Sequence, residues 1–189
     1  TAEQLRRTWR LVMIAGSLGA TYLLICVNGA PRVKFLTELG ATAFDFGLIA
    51  AITSLSLGFQ ILAGAMDTHL TRRKPVWMAI IFSHRTVFLG VLLAPTLFGP
   101  GRERIWFIIA FIALHEALTN LGTPLWYSWM ADLLPRQTLG RLWATRQWAV
   151  TLVSTLLGAG MAVAYYIFEM RGEAVGGFVV IGGLCLVLG

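Results

Sequence analysis

The chain has 189 residues, 57% of them hydrophobic and only 13% charged, with a mean hydropathy of +0.74. A water-soluble domain carries about 25% charge, so the composition excludes an ordinary globular protein and points to lipid as the solvent of most side chains. The net charge of +6 would suit a nucleic-acid binder, but the basic residues are split among short stretches between apolar runs rather than gathered on one face.

A helix that crosses a bilayer needs about 20 apolar residues. Six apolar spans follow one another: Leu11–Ala30, Phe46–Met66, Val76–Leu97, Ile105–Ala131, Leu142–Phe168 and Ala174–Gly189. Five reach that length, and the sixth has 16 residues. The expected fold is all-α, a polytopic membrane bundle of six transmembrane helices with the last one truncated. The chain lacks an initiating Met and ends inside an apolar run, so a longer protein is expected. Its opening, TAEQLRRTWR, reads as a short lead-in without the cleavage site of a secretory signal.

Each span flips the chain across the bilayer, so alternate hinges share a side. One side collects Arg6, Arg7, Arg10, Arg72, Arg73, Lys74, Arg136, Arg141 and Arg146, nine basic residues against three acids. The other collects five basic residues, Arg32, Lys34, Arg102, Arg104 and Arg171, against five acids. The Lys and Arg excess marks the cytoplasmic face, which puts the N-terminus inside.

The first span carries Asn28 near its outer end, and Pro31 is expected to stop it. The stretch after it, PRVKFLTELGATAFD, is long enough for a bent or interfacial segment. The second span contains TSLSLGFQ, small and hydroxyl residues suited to a helix interface or a cavity wall. Gln60 in that patch either faces cargo or makes an interhelical hydrogen bond. Glycines inside the spans, Gly16 and Gly177 among them, let helix backbones approach. Cys26 and Cys185 lie in apolar runs without ligand spacing, so they read as small buried hydrophobes. No metal site or cofactor is expected.

The third span holds His84 and Arg85; the fourth holds His115, Glu116 and Asn120. An ionised group at such depth is costly and faces a cavity or a partner. Arg85 lies about 15 Å from Pro75 and Glu116 about 21 Å from Met130, a difference of roughly 6 Å that long side chains can bridge. An Arg85–Glu116 pair is therefore expected, either structural or part of a substrate or proton site. His84 and His115 point about 100° away from these residues. Each is a candidate for the same cavity or a hydrogen-bonded interhelical histidine. Pro124 is expected to weaken the fourth span one turn below Asn120, as in the broken helices that border transport sites. Trp126, Tyr127, Trp129, Trp143 and Trp148 fit an aromatic belt at the cytoplasmic interface. The sixth span opens with Gly176 and Gly177 and is otherwise featureless.

Two hinges share a pattern. In AGAMDTHLTRRKP, Asp67 closes the second span, and Arg72, Arg73 and Lys74 precede the third. In MADLLPRQTLGR, Asp132 and Arg141 echo that arrangement. An acid at a helix end can pair with basic groups across a tight turn and with the exposed amides of a neighbouring helix. Such a contact can lock one side closed in one state and release in another. Two similar hinges two spans apart also fit nested three-helix repeats.

On these residues the chain resembles the N-terminal six-helix half of a major facilitator superfamily transporter over essentially its whole length. The second-to-third hinge is similar to the family signature Gly-x-Leu-Ala-Asp-Arg-x-Gly-Arg-Arg. Asp67 matches its acid, and Arg72 and Arg73 its basic pair. It departs in that Gly64 is shifted by one position, Thr68 follows the acid, Leu70 stands where Gly is usual and the basic pair comes one residue late. ADLLPRQTLGRLWATR is more similar to the family's fourth-to-fifth hinge, through Asp132, Pro135, Gly140 and Arg141. Two family features are missing. HEALTNLG lacks the Arg that proton-coupled members carry in the fourth helix, and STLLGAGMAVAYYIF lacks the Gly-Pro pair of antiporters.

The resemblance implies a secondary active transporter that moves a small solute by alternating access, with protons as a candidate coupling ion. It implies a plasma-membrane, bacterial inner-membrane location and a second six-helix bundle C-terminal to this one. The expected substrate or proton pathway is Asn28, Gln60, Arg85, His115, Glu116 and Asn120. The expected cytoplasmic gating hinges are Asp67, Arg72, Arg73, Asp132 and Arg141. Partners are membrane lipid and the solute, not nucleic acid. The alternatives are a non-transporting membrane scaffold or receptor, a channel, and a membrane enzyme with His84, His115 and Glu116 as its only catalytic cluster. The expectation is not an enzyme.

Overall fold

The computed structural model describes residues 2–133 and 139–188, which are all-α. The helices are α1 (Ala2–Tyr22), α2 (Ala30–Glu38), α3 (Ala43–Ser56), α4 (Phe59–Asp67), α5 (Arg73–Leu97), α6 (Arg102–Leu133), α7 (Leu139–Met170) and α8 (Ala174–Leu188). A π-helical turn, Leu23–Val27, follows α1. Among the described residues, five helical stretches are long and apolar enough to cross a membrane: Trp9–Glu38, Ala43–Asp67, and α5, α6 and α7. α8 is apolar but has only 15 residues. Pro135 of the fourth-to-fifth hinge and its neighbour Arg136 lie outside the described residues.

The first span does not stop at Pro31. The ladder first loosens into the π turn, where the Asn28 amide donates to the Leu23 carbonyl at 2.8 Å, and breaks at Asn28 and Gly29. Pro31 then sits in the first turn of α2. Amides of a first turn have no intrahelical acceptor, so the missing N–H of proline costs nothing there. The apolar stretch accordingly runs on to Glu38.

The second span is broken where no proline stands. α3 ends at Ser56 and α4 begins at Phe59. Between them the amides of Leu57, Gly58, Gln60 and Ile61 donate to carbonyls three residues back, at 3.0–3.3 Å. By contrast, α6 runs through Pro124 without interruption. The weakening expected at Pro124 produces no break in α6.

The helices group into two compact units, α1, α2, α7 and α8 in one and α3 to α6 in the other. In the first, Phe35 of α2 stacks on Phe178 of α8 with ring centres 4.3 Å apart. Lys34 bridges Glu38 at 3.3 Å and Glu169 of α7 at 3.0 Å. A methyl at Gly16 would come within 2.8 Å of the Arg146 guanidinium, so the absent side chain lets that arginine lie against α1. Cys26 and Cys185 are both buried.

In the second unit α5 and α6 lie antiparallel, as three ring contacts along their length show. Trp77 meets Trp129 at 5.3 Å, His84 meets His115 at 5.0 Å, and Phe98 meets Phe107 at 4.7 Å. Gly90 permits this approach, because a side chain there would collide with the Phe111 ring. At the start of α3 the Asp45 carboxylate, fully buried, accepts from the Thr42 amide at 2.7 Å and hydroxyl at 2.8 Å. This is a capping box. Arg102 of α6 clamps the same carboxylate with two bonds, of 2.7 and 2.9 Å. Arg104 donates to the Leu39 carbonyl at 2.9 Å.

Candidate functional site

The candidate site is a set of polar groups inside the α3–α6 unit, with a charged cluster at one end of it. The charged cluster forms where α4, α5 and α6 meet. Asp67 is the last residue of α4 and Arg73 the first of α5. Arg73 Nε donates to Asp67 Oδ1 at 2.6 Å, and its Nη1 donates to Asp132 Oδ2 at 2.6 Å. Ser128 Oγ, one turn before Asp132, donates to Asp67 Oδ2 at 2.7 Å. A planar guanidinium holds two carboxylates at once in directions fixed by its fork, whereas an ammonium is a point charge without a preferred plane. The Lys74 ammonium stands 5.9 Å from the centre of the Trp129 ring beside this cluster. Side-chain exposure grades from 19% at Asp67 and 27% at Arg73 to 60% at Asp132.

Of the two hinge arginines expected to act together, only Arg73 takes part in this cluster. Arg72 is the exposed residue ahead of α5, in extended backbone. Asp132 is tied to Arg73, while Arg141 is exposed on α7.

Deeper in the unit, Gln60 and Asn120 meet across the broken second span. Gln60 Nε2 donates to Asn120 Oδ1 at 2.7 Å, and Asn120 Nδ2 donates to Ser56 Oγ at 2.8 Å. Ser56 Oγ passes its own hydrogen to the Thr53 carbonyl at 2.7 Å. Asn120 also reaches the Glu116 carbonyl at 3.0 Å. This directional chain joins the last residue of α3, the first turn of α4 and the middle of α6. It satisfies an asparagine and a serine that are both buried, where an unmet polar group would be costly.

One turn further along α6, His115 and Glu116 are buried, and His84 of α5 is buried beside them. Arg85 is half-buried. The contact between the two imidazoles brings Arg85 and Glu116 to matching depth on neighbouring helices. Asn28 belongs to the other unit, where it is exposed and ends the π turn.

No family model, curated protein or solved structure matches the chain. What the structure itself carries is an all-α fold with several helices long and apolar enough for a polytopic membrane protein. Among the described residues no three His, Cys, Asp or Glu side chains gather as a metal site would require.

Ser128 is an ordinary hydroxyl residue in an apolar helix and gives no signal of its own, while Ser56 belongs to the hydroxyl patch TSLSLGFQ without any sign of which partner it meets. The Asp45–Arg102 clamp was half legible, since Thr42 followed three residues later by Asp45 is a capping pattern. The distant arginine was not.

Proposed function

We propose that the protein is a secondary active transporter that moves a small solute across a membrane by alternating access, with this bundle acting as the N-terminal half of a major facilitator-type carrier. The observation that carries the reading is the three-way tie of Asp67, Arg73 and Asp132, each bond at 2.6 Å. It sits where three apolar helices end and joins both acids of the expected hinges through one of the expected arginines. Ion pairs in contact with water are individually weak, so such a tie can be specific in geometry and still release when helices move. A static scaffold gains little from an arrangement of that kind.

In this reading the basic hinges face the cytoplasm and the N-terminus is inside, in a plasma membrane of the bacterial inner-membrane kind. A second six-helix bundle completes the carrier, and the solute binds near the bilayer midplane. The break between α3 and α4, bridged by Gln60 and Asn120, supports a pathway there, because interrupted helices at mid-depth border transport sites. Arg85, His115 and Glu116 complete the lining from this unit.

The test is a solute-uptake screen on the full-length protein in liposomes, with and without a pH gradient. Saturable uptake of one class of solute is the expected result. No flux of any solute from folded, inserted protein would favour a scaffold or receptor, and flux far above carrier turnover would favour a channel.

A further inference from the structure

α5 and α6 carry four ionisable side chains at one depth, His84 and Arg85 on the first and His115 and Glu116 on the second. The two histidines are 3% and 1% exposed. Their ring centres are 5.0 Å apart and their planes 77° from parallel, so the edge of one imidazole meets the other ring. Phe88 packs on His115 at 5.4 Å. Packing alone would be served by another phenylalanine at either position. What a histidine adds is a pair of ring nitrogens that can hydrogen-bond or carry a proton.

Two imidazoles in contact behave as one site. The first proton can be stabilised by both rings. A second would set two like charges about 5 Å apart away from water, which is strongly disfavoured. The surrounding charges give the site its balance. Arg85 follows His84 on α5 and Glu116 follows His115 on α6, so one cation and one acid lie at the depth of the pair. α3 and α4 pack on α6, and their neutral groups Gln60 and Ser56 bond Asn120, one turn along α6 from the pair. Their acids, Asp45 and Asp67, stand in the first turn of α3 and at the last residue of α4. With Arg85 and Glu116 both ionised the cluster is neutral, and one added proton makes it a cation. A change of that kind, deep in apolar surroundings, alters which neighbours the cluster tolerates and so biases a conformational equilibrium.

We infer that His84 and His115 form a single site that binds one proton between them, and that this proton is the coupling ion of the proposed transport. The coupling half rests on the transport reading. The proton-binding half does not.

The experiment is a solid-state NMR titration of the full-length protein, labelled with nitrogen-15 histidine, in phosphatidylcholine vesicles from about pH 4 to about pH 9, the span around the ordinary histidine range. The chain has three histidines, and the exposed His69 is an internal reference. His84→Gln and His115→Gln assign the remaining two signals. The expected result is that both rings change together with one midpoint and one proton. His84→Gln should also move the His115 midpoint by about one pH unit or more, tenfold in proton affinity. Two independent midpoints, each indifferent to the other substitution, would overturn the site, as would two rings that stay neutral throughout. Uptake that ignores the pH gradient would overturn the coupling half while the titration stood. Absence of any uptake would remove the transport reading and leave the proton site intact.

Discussion

Asp67 at the end of α4 and Asp132 near the end of α6 accept hydrogen bonds from the same guanidinium, that of Arg73, each at 2.6 Å. Asp67 is the better shielded of the two and has a second donor in Ser128. Its charge is therefore the one that holds the cluster together. Asp67→Asn is expected to slow turnover by about tenfold, the scale of a modest coupling between states, and to leave solute affinity within about twofold. Asp132→Asn should do less, because water already reaches that carboxylate. Arg73→Lys should do less than Asp67→Asn, since an ammonium keeps the charge but not the planar fork that fixes both acids. Initial uptake rates and equilibrium binding on the same liposomes check all three. Unchanged turnover in Asp67→Asn would count against the lock.

The spans were legible because the bilayer imposes a length that an apolar run must match, and five of the six runs matched it. The breaks were not. Pro31 and Pro124 both look like interruptions, yet one opens α2 and the other lies within an unbroken α6. The interruption of the second span, at Leu57 and Gly58, has no proline and follows two serines whose hydroxyls bond local carbonyls. Ser54 bonds the Ala50 carbonyl and Ser56 the Thr53 carbonyl, which competes with the regular ladder. The hinge acids were legible as acids beside basic clusters. Which arginine serves them was not, because Arg72 and Arg73 differ only in which residue begins the helix. Gln60 and Asn120 were legible as polar residues in apolar helices. Only the folded register of α4 against α6 shows that they bind each other.

Asn120 is the junction of the Gln60–Asn120–Ser56 chain. Asn120→Leu keeps the volume and removes both functions of the amide, so it is expected to destabilise the protein by about 1–2 kcal/mol. Because Gln60 and Asn120 share one bond, Gln60→Leu combined with Asn120→Leu should cost less than the two changes separately. Unfolding in detergent, followed by tryptophan fluorescence, measures the cycle. Strict additivity would show that the bond contributes no coupling.

The Asp45 clamp leads to a different expectation. Arg102→Gln leaves the buried Asp45 carboxylate with only its Thr42 donors. It should lower the melting temperature by about 4 °C, a large shift for a chain of this size. Lys34→Gln, which removes the exposed Lys34–Glu38 and Lys34–Glu169 pairs, should shift it far less. Differential scanning fluorimetry of both variants against the parent protein gives the comparison. Equal shifts would mean that burial of Asp45 adds nothing to the clamp.

Every role assigned to these residues depends on the apolar helices crossing a bilayer with the basic hinges inside. Single cysteines at Gly101 and Thr71, both exposed, placed in a protein whose Cys26 and Cys185 are changed to Ala, read this directly with a membrane-impermeant maleimide on intact cells. The result expected is labelling at position 101 from outside, and labelling at position 71 only after the membrane is opened. Labelling of both from the same side, or the reverse pattern, would contradict the topology and the transport scheme built on it.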